Sequence, residues 1–141
     1  MAKIALISCV RTKAEVKSPN TIKAESLYIS PLFKKALKYA KEKINADRIF
    51  ILSAKYHLLN LDDQISEYDY TLNGEKADII KAWSDEVRKQ LIDKGVDIAN
   101  DEIFILAGKN YYKYLITDEF LNVRYLYQNM RIGQILHFLN E

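Results

Sequence analysis

Apolar residues fall into two alternating rhythms along this chain: short unbroken runs, and stripes spaced three or four residues apart. Lys3-Ile4-Ala5-Leu6-Ile7-Ser8-Cys9 is an unbroken run that turns polar at its end, the pattern of a strand buried on both faces. Arg48-Ile49-Phe50-Ile51-Leu52-Ser53-Ala54 and Glu102-Ile103-Phe104-Ile105-Leu106-Ala107-Gly108 repeat it with β-branched and aromatic residues. Val123-Arg124-Tyr125-Leu126-Tyr127 is a weaker fourth run. The likeness of the second and third runs reflects shared strand physics rather than an internal repeat.

Helical stripes separate the runs. Ser30-Pro31 has the form of a helix start, a hydroxyl at the N-cap and proline at the first helical position, and Phe33, Leu37, Ala40 and Ile44 then share one face. From about Glu75 to Lys94, Ile80, Trp83, Val87 and Leu91 form a stripe, with Gly95 as the stop. Lys109 to about Ile116 reads as a shorter helix, and Ile132, Ile135, Leu136 and Leu139 mark a last one. The order β-α-β-α-β-α-β-α predicts a single α/β domain over residues 1–141. Its architecture is a three-layer α/β/α sandwich around a central four-stranded, mostly parallel sheet, because parallel neighbours need helical crossovers. The segments 10–26 and 56–73 are left as long loops, and long loops in compact domains tend to carry function.

Composition narrows the picture. A chain of 141 residues has room for one domain. With 49% hydrophobic and 28% charged residues it has the balance of a globular protein, which excludes disordered, collagenous and membrane-spanning classes. A net charge of +2 is too small to demand a nucleic-acid partner. One cysteine and no signal-like opening point to a reducing cytoplasmic setting. Nothing in the pattern sets the oligomeric state. The ten tyrosines are the departure: rings that stack and carry a hydroxyl.

The chemistry-bearing residues gather where parallel strands end. Ser8-Cys9, Ser53-Ala54-Lys55 and Ala107-Gly108-Lys109-Asn110 close the three strong runs, and the carboxyl ends of an open parallel sheet face one ligand crevice. One pocket is therefore expected to hold Ser8, Cys9, Lys13, Ser53, Lys55, Gly108, Lys109 and Asn110, with Tyr28 and Tyr56 at its mouth and Tyr111 nearby as stacking surface. Such a set fits a ligand that is planar in one part and anionic or hydroxylated in another. Cys9 also reads as a small buried residue, and Asp62, Asp63, Glu67 and Asp69 also read as a solvated loop face. His57 and His137 are too far apart in sequence to suggest a metal site, and no glycine-rich phosphate loop is present. No cofactor is expected.

The motifs resemble a small bacterial and phage family, a domain of unknown function. It opens with Ser-Cys-x-x-x-Lys, here Ser8 to Lys13, followed by Leu-Tyr-x-Ser-x-x-Phe at Leu27 to Phe33. Leu52 to Leu59 resembles its Leu-Ser-Ala-Lys-Tyr-Gly-Leu-Leu, with His57 in place of glycine. Tyr68-Asp69-Tyr70-Thr71-Leu72 and Ala107-Gly108-Lys109-Asn110-Tyr111 complete the series, and Tyr127-Gln128-Asn129-Met130-Arg131 stands where a Pro- and Gly-rich loop is expected. More distantly the layout is similar to YaaA-like proteins, to the core of archaeosine synthase, and through them to the uracil-DNA-glycosylase-like architecture. In archaeosine synthase a Pro-Cys-x-x-x-Lys segment supplies a lysine that works on a modified 7-deazaguanine base. That resemblance implies nucleobase or nucleoside chemistry, with Lys13 or Cys9 as nucleophile and Glu67 stabilising an oxocarbenium-like centre.

Three functions compete at this stage. The first is a protein binding a nucleotide, nucleoside or modified base, acting on its glycosidic bond or base as a glycosidase or transglycosylase would. The second is a non-catalytic protein, of phage type, that sequesters a nucleotide immune signal. The third is a nucleic-acid-binding module using Lys34, Lys35, Lys38, Lys41 and Lys43, a set that also reads as a solvated helix face. No membrane partner is expected.

Overall fold

The structure, a computed structural model, describes residues 1–8 and 13–140. Strand β1 (Lys3–Ser8) lies at the centre of a five-stranded sheet. It is parallel to β3 (Arg48–Ser53) on one side and to β6 (Glu102–Leu106) on the other. Strand β7 (Val123–Tyr125) adds to β6 in parallel, and β4 (His57–Asn60) adds to β3 antiparallel, giving the order β4-β3-β1-β6-β7. Two-residue strands β2 (Ile22–Lys23) and β5 (Gln64–Ile65) pair separately.

The runs are unbroken because each strand is covered twice. Ile4, Leu6, Phe50, Leu52, Ile103 and Ile105 face α3 (Ala77–Asp93) and its Trp83, Val87 and Leu91. Ala5, Ile7, Ile51, Phe104 and Leu106 face the opposite layer. That layer holds α1 (Ala24–Leu27), α2 (Pro31–Tyr39) with a π-helical turn to Ile44, and the last helix of the chain. A short helix α4 (Lys109–Tyr112) follows β6 on the α3 side, and α5 (Ile132–Leu139) packs on α2, with the Tyr39 and Phe138 rings 5.2 Å apart. This is the expected three-layer α/β/α fold.

The local signals act as their chemistry dictates. Ser30 Oγ accepts the Phe33 amide at 3.2 Å, with Pro31 in the first turn of α2. Helix α3 stops at Gly95, φ +87°, where Gly95 N–H donates to the Ile92 carbonyl and Val96 N–H to that of Leu91, the paired bonds of a Schellman cap.

The sheet has five strands rather than the four expected from the apolar runs. The added one, β4, comes from the segment 56–73 read as a loop. Leu58 and Leu59 are consecutive and both buried, so the strand lacks the alternation that would mark a half-exposed edge. The other surprise is how the two long segments are held. Ala14 N–H bonds the Leu27 carbonyl at 2.7 Å, Glu67 N–H bonds that of Val16 at 2.7 Å, and Ser66 Oγ bonds that of Asn20 at 2.5 Å. With the β2–β5 pair, these bonds stitch the two segments to each other and to α1.

Candidate functional site

The chain leaves β1 through α2 to reach β3 on one side, then crosses through α3 to β6 on the other. Strands β1 and β6 therefore flank the topological switch point, outside whose carboxyl ends such folds bind ligands. Apart from Ser8, at the end of β1, the described residues of the expected set fall into two groups.

The first group is built on tyrosines. Lys13 bridges to Tyr28 in antiparallel fashion, which brings its ammonium 4.4 Å from the Tyr68 ring centre and 5.9 Å from that of Tyr28. Lys55 Nζ lies 5.3 Å from the centre of the Tyr56 ring, which meets Tyr68 edge-on at 5.4 Å. Both lysines thus rest on one three-ring cluster, each at a distance where the ring quadrupole attracts a cation. The hydroxyls are joined through Ser53, which is fully buried. Ser53 Oγ donates to the Tyr68 hydroxyl at 2.8 Å and accepts the Tyr56 amide at 3.0 Å. The Tyr68 and Tyr28 hydroxyls are 2.7 Å apart. Tyr28 itself is only 1% exposed, so it is the cluster's floor and not its mouth: its ring packs on Phe33, 5.2 Å away, in the core under α2.

The second group lies toward the α3 and α4 layer. Gly108 is the N-cap of α4, Lys109 is exposed, and Asn110 Nδ2 donates to Asn73 Oδ1 at 2.9 Å. Tyr111 meets Trp83 edge-on at 5.6 Å in the core on this side. Ser53 joins the two sides, since its carbonyl accepts the Trp83 indole N–H at 2.9 Å.

Glu67 is held as a structural clamp. Its Oε2 accepts the Val16 amide at 3.2 Å while its own amide bonds the Val16 carbonyl. Asp63 likewise caps a turn through Asn60 N–H at 2.8 Å. Cys9 lies outside the described residues. Among the described residues, no three His, Cys, Asp or Glu side chains gather where they could hold a metal ion.

Between the ends of β1 and β6 is a small cleft of about 10 Å³, lined by Ile7, Ser8, Leu32, Phe33, Ala36, Leu106 and Tyr127. Of the described residues expected in one pocket, Ser8 is the one that lines it. The Tyr127 hydroxyl is buried and has no hydrogen-bond partner among the described residues, and burial pushes its pKa far above the usual tyrosine range.

The family model described as "Family of unknown function (DUF6884)" matches residues 4–141. The chain belongs to that family. No curated protein matches this DUF6884 chain. The glycine that the sequence resemblance led us to expect at position 57 has a physical counterpart: His57 has φ +66°, in the left-handed region, where glycine carries no penalty and His is among the few residues often found. Asn129, φ +62°, meets the same demand in the loop after β7.

Tyr68 and Tyr127 were not among the residues expected at the site. Tyr68 was within reach, because it begins the Tyr-Asp-x-Thr-Leu motif. Tyr127 was hidden at the end of a weak strand run, where its apolar neighbours resemble core.

Proposed function

We propose that this DUF6884 chain binds a nucleobase-containing small ligand, a nucleotide, nucleoside or modified base, at the carboxyl ends of β1, β3 and β6. The observation that carries this reading is the convergence of Lys13 and Lys55 on the Tyr28–Tyr56–Tyr68 cluster. Two cations beside the half-buried Tyr56 and Tyr68 rings suit a ligand with an anionic group on one side and a flat ring on the other. The likeness of the Ser8 to Lys13 segment to archaeosine synthase and YaaA-like proteins supports a base as the flat part. The lone cysteine fits action in a reducing cytoplasm.

Binding without turnover is the form the side chains favour. Glu67, expected to stabilise an oxocarbenium-like centre, has one carboxylate oxygen on the Val16 amide. The test is calorimetry against nucleosides, mononucleotides, cyclic nucleotides and nicotinamide dinucleotides, followed by denaturation and mass analysis of the recovered ligand. Intact ligand supports a sequestering protein, whereas free base or a base-exchanged product makes it an enzyme. Absence of binding across the whole panel overturns the reading.

A further inference from the structure

We infer that β7 is a pairing edge for a second copy of this chain, joining two five-stranded sheets through their β7 strands. The inference stands apart from the nucleobase reading, because it uses none of the residues of the candidate site. The two edges of the sheet differ. At the β4 edge the outward amides are capped by side chains: Leu58 N–H donates to Gln90 Oε1 at 2.9 Å and Asn60 N–H to Asp63 Oδ2 at 2.8 Å. Covering an edge in this way keeps it from pairing with another chain. At the β7 edge nothing comparable is found among the described residues. Ile103 N–H bonds the Asn122 carbonyl and Leu126 N–H that of Ile105, so Arg124 turns its backbone groups toward β6 while Val123 and Tyr125 turn theirs outward. Those outward N–H and C=O groups have no partner among the described residues, since β7 ends the sheet. Beside them lies an open hollow of about 430 Å³ whose walls include Ile116, Phe120 and Leu121, the last 74% exposed.

A second copy fits this edge because the open pattern is its own complement. With a two-fold axis through Arg124, Val123 of each copy lies opposite Tyr125 of the other. In an antiparallel ladder such a residue pair exchanges both of its N–H···O=C bonds, so the two pairs satisfy every open backbone group of β7. Val123 and Tyr125 both pack toward the α3 side of the sheet. The β-branched side chain of one copy therefore meets the aromatic ring of the other, a favourable cross-strand pair. Arg124 stands at the centre on the opposite face, its guanidinium 5.9 Å from the centre of the Phe104 ring. Its Nε bonds Glu102 at 2.8 Å. Two neutralised ion pairs thus meet across the axis instead of two bare cations, which offsets the like-charge penalty of that position. Because the paired strands run antiparallel, the carboxyl ends of the two sheets point in opposite directions, and the candidate sites are not brought together. A contact over three residues is a small interface, of the class that forms weakly and reversibly.

The test is sedimentation equilibrium on the native chain from micromolar to near-millimolar concentration, with amide hydrogen exchange measured at both ends of that range. The apparent mass should rise from 16.4 kDa toward twice that value. Exchange at the Val123 and Tyr125 amides should slow by about tenfold or more at the high concentration, as for amides that enter a ladder, while Leu58 and Asn60 stay unchanged. Val123→Pro removes one outward donor and leaves the Arg124 bonds to β6 in place, so it should keep the chain monomeric throughout. Should the proline variant fail to fold, the concentration dependence of exchange at Tyr125 in the native chain decides the matter. A native chain that stays monomeric overturns the second-copy assignment and leaves the edge to a different strand. A dimer in which both amides exchange as fast as in the monomer, or one that survives in folded Val123→Pro, has its contact elsewhere and overturns it too.

Discussion

Replacing Tyr127 with Phe deletes one hydroxyl and leaves the ring in place, so it isolates the energetic consequence of burying that group unpaired. Mutational data place the cost of a buried hydroxyl without a partner at about 1–3 kcal/mol. The hydroxyl is buried and has no partner among the described residues, so Tyr127→Phe should stabilise the protein by at least about 1 kcal/mol. Urea unfolding is the assay. With an m-value of about 1–3 kcal/mol per molar, the midpoint should rise by roughly 0.5 M at unchanged m, since the surface exposed on unfolding is the same. The pH dependence adds a second signature. Burial raises the folded-state pKa of Tyr127 above that of the unfolded chain, so above about pH 10 the unfolded state releases a proton that the folded state retains. Native stability then falls by up to about 1.4 kcal/mol per pH unit through this group, and the variant lacks that component, so its advantage should widen with rising pH. A midpoint that drops in Tyr127→Phe would refute the reasoning, because it would mean that the hydroxyl makes a stabilising bond in the free protein.

Other outcomes follow from the same geometry. Trp83 is 5% exposed and bonded to the Ser53 carbonyl, so Trp83→Ala should cost about 3–5 kcal/mol; red-shifted native emission from Trp83 would contradict its burial. At position 57, His57→Val should destabilise by more than about 1 kcal/mol, because a β-branched residue is penalised at positive φ, while His57→Gly should stay close to native; equal midpoints for the two would refute the backbone explanation. Lys13→Ala and Lys55→Ala should each weaken binding of the best nucleotide from the panel by at least about 1 kcal/mol, the scale of one charge-assisted hydrogen bond, with folding preserved. Glu67→Ala should speed hydrogen exchange at the Val16 amide, while Glu67→Gln, which keeps an acceptor oxygen, should leave it slow; fast exchange in both would show that the charge itself is required.

How much of this was legible in the sequence depended on whether short-range pattern or long-range pairing decided the outcome. The three strong strands and the Trp83 stripe were legible because each is buried over its own length, so the apolar period reports the environment directly. Strand β4 was not, since four residues carry too little pattern to separate a strand from a turn. The stitching of segments 13–27 and 60–67 was not legible either: backbone groups make most of those bonds, and a backbone group has no sequence signature. The site shows the same division. Strand ends foretold Ser53 and Lys55, but the grouping of Lys13 with Tyr68 needed a contact across 55 positions in sequence, and the separation of Lys109 and Asn110 toward the α4 layer followed from the two faces of the sheet rather than from the strand ends alone.

Ser53 shows why that site can hold a fixed shape although much of it comes from connecting segments. Its hydroxyl bonds Tyr68 and the Tyr56 amide, and its carbonyl takes the Trp83 indole. One residue on a central sheet strand therefore orients the tyrosine cluster on one side and the α3 layer on the other. Alanine there would keep the strand but release the Tyr56 amide and the Tyr68 hydroxyl from their shared partner. Threonine would add a methyl group at a position with no exposed surface, where overpacking costs about 1–3 kcal/mol. A small hydroxyl side chain meets both demands. The rings under Lys13 and Lys55 thus take their orientation from β3, and a candidate site anchored to a strand holds its geometry better than one left to its loops.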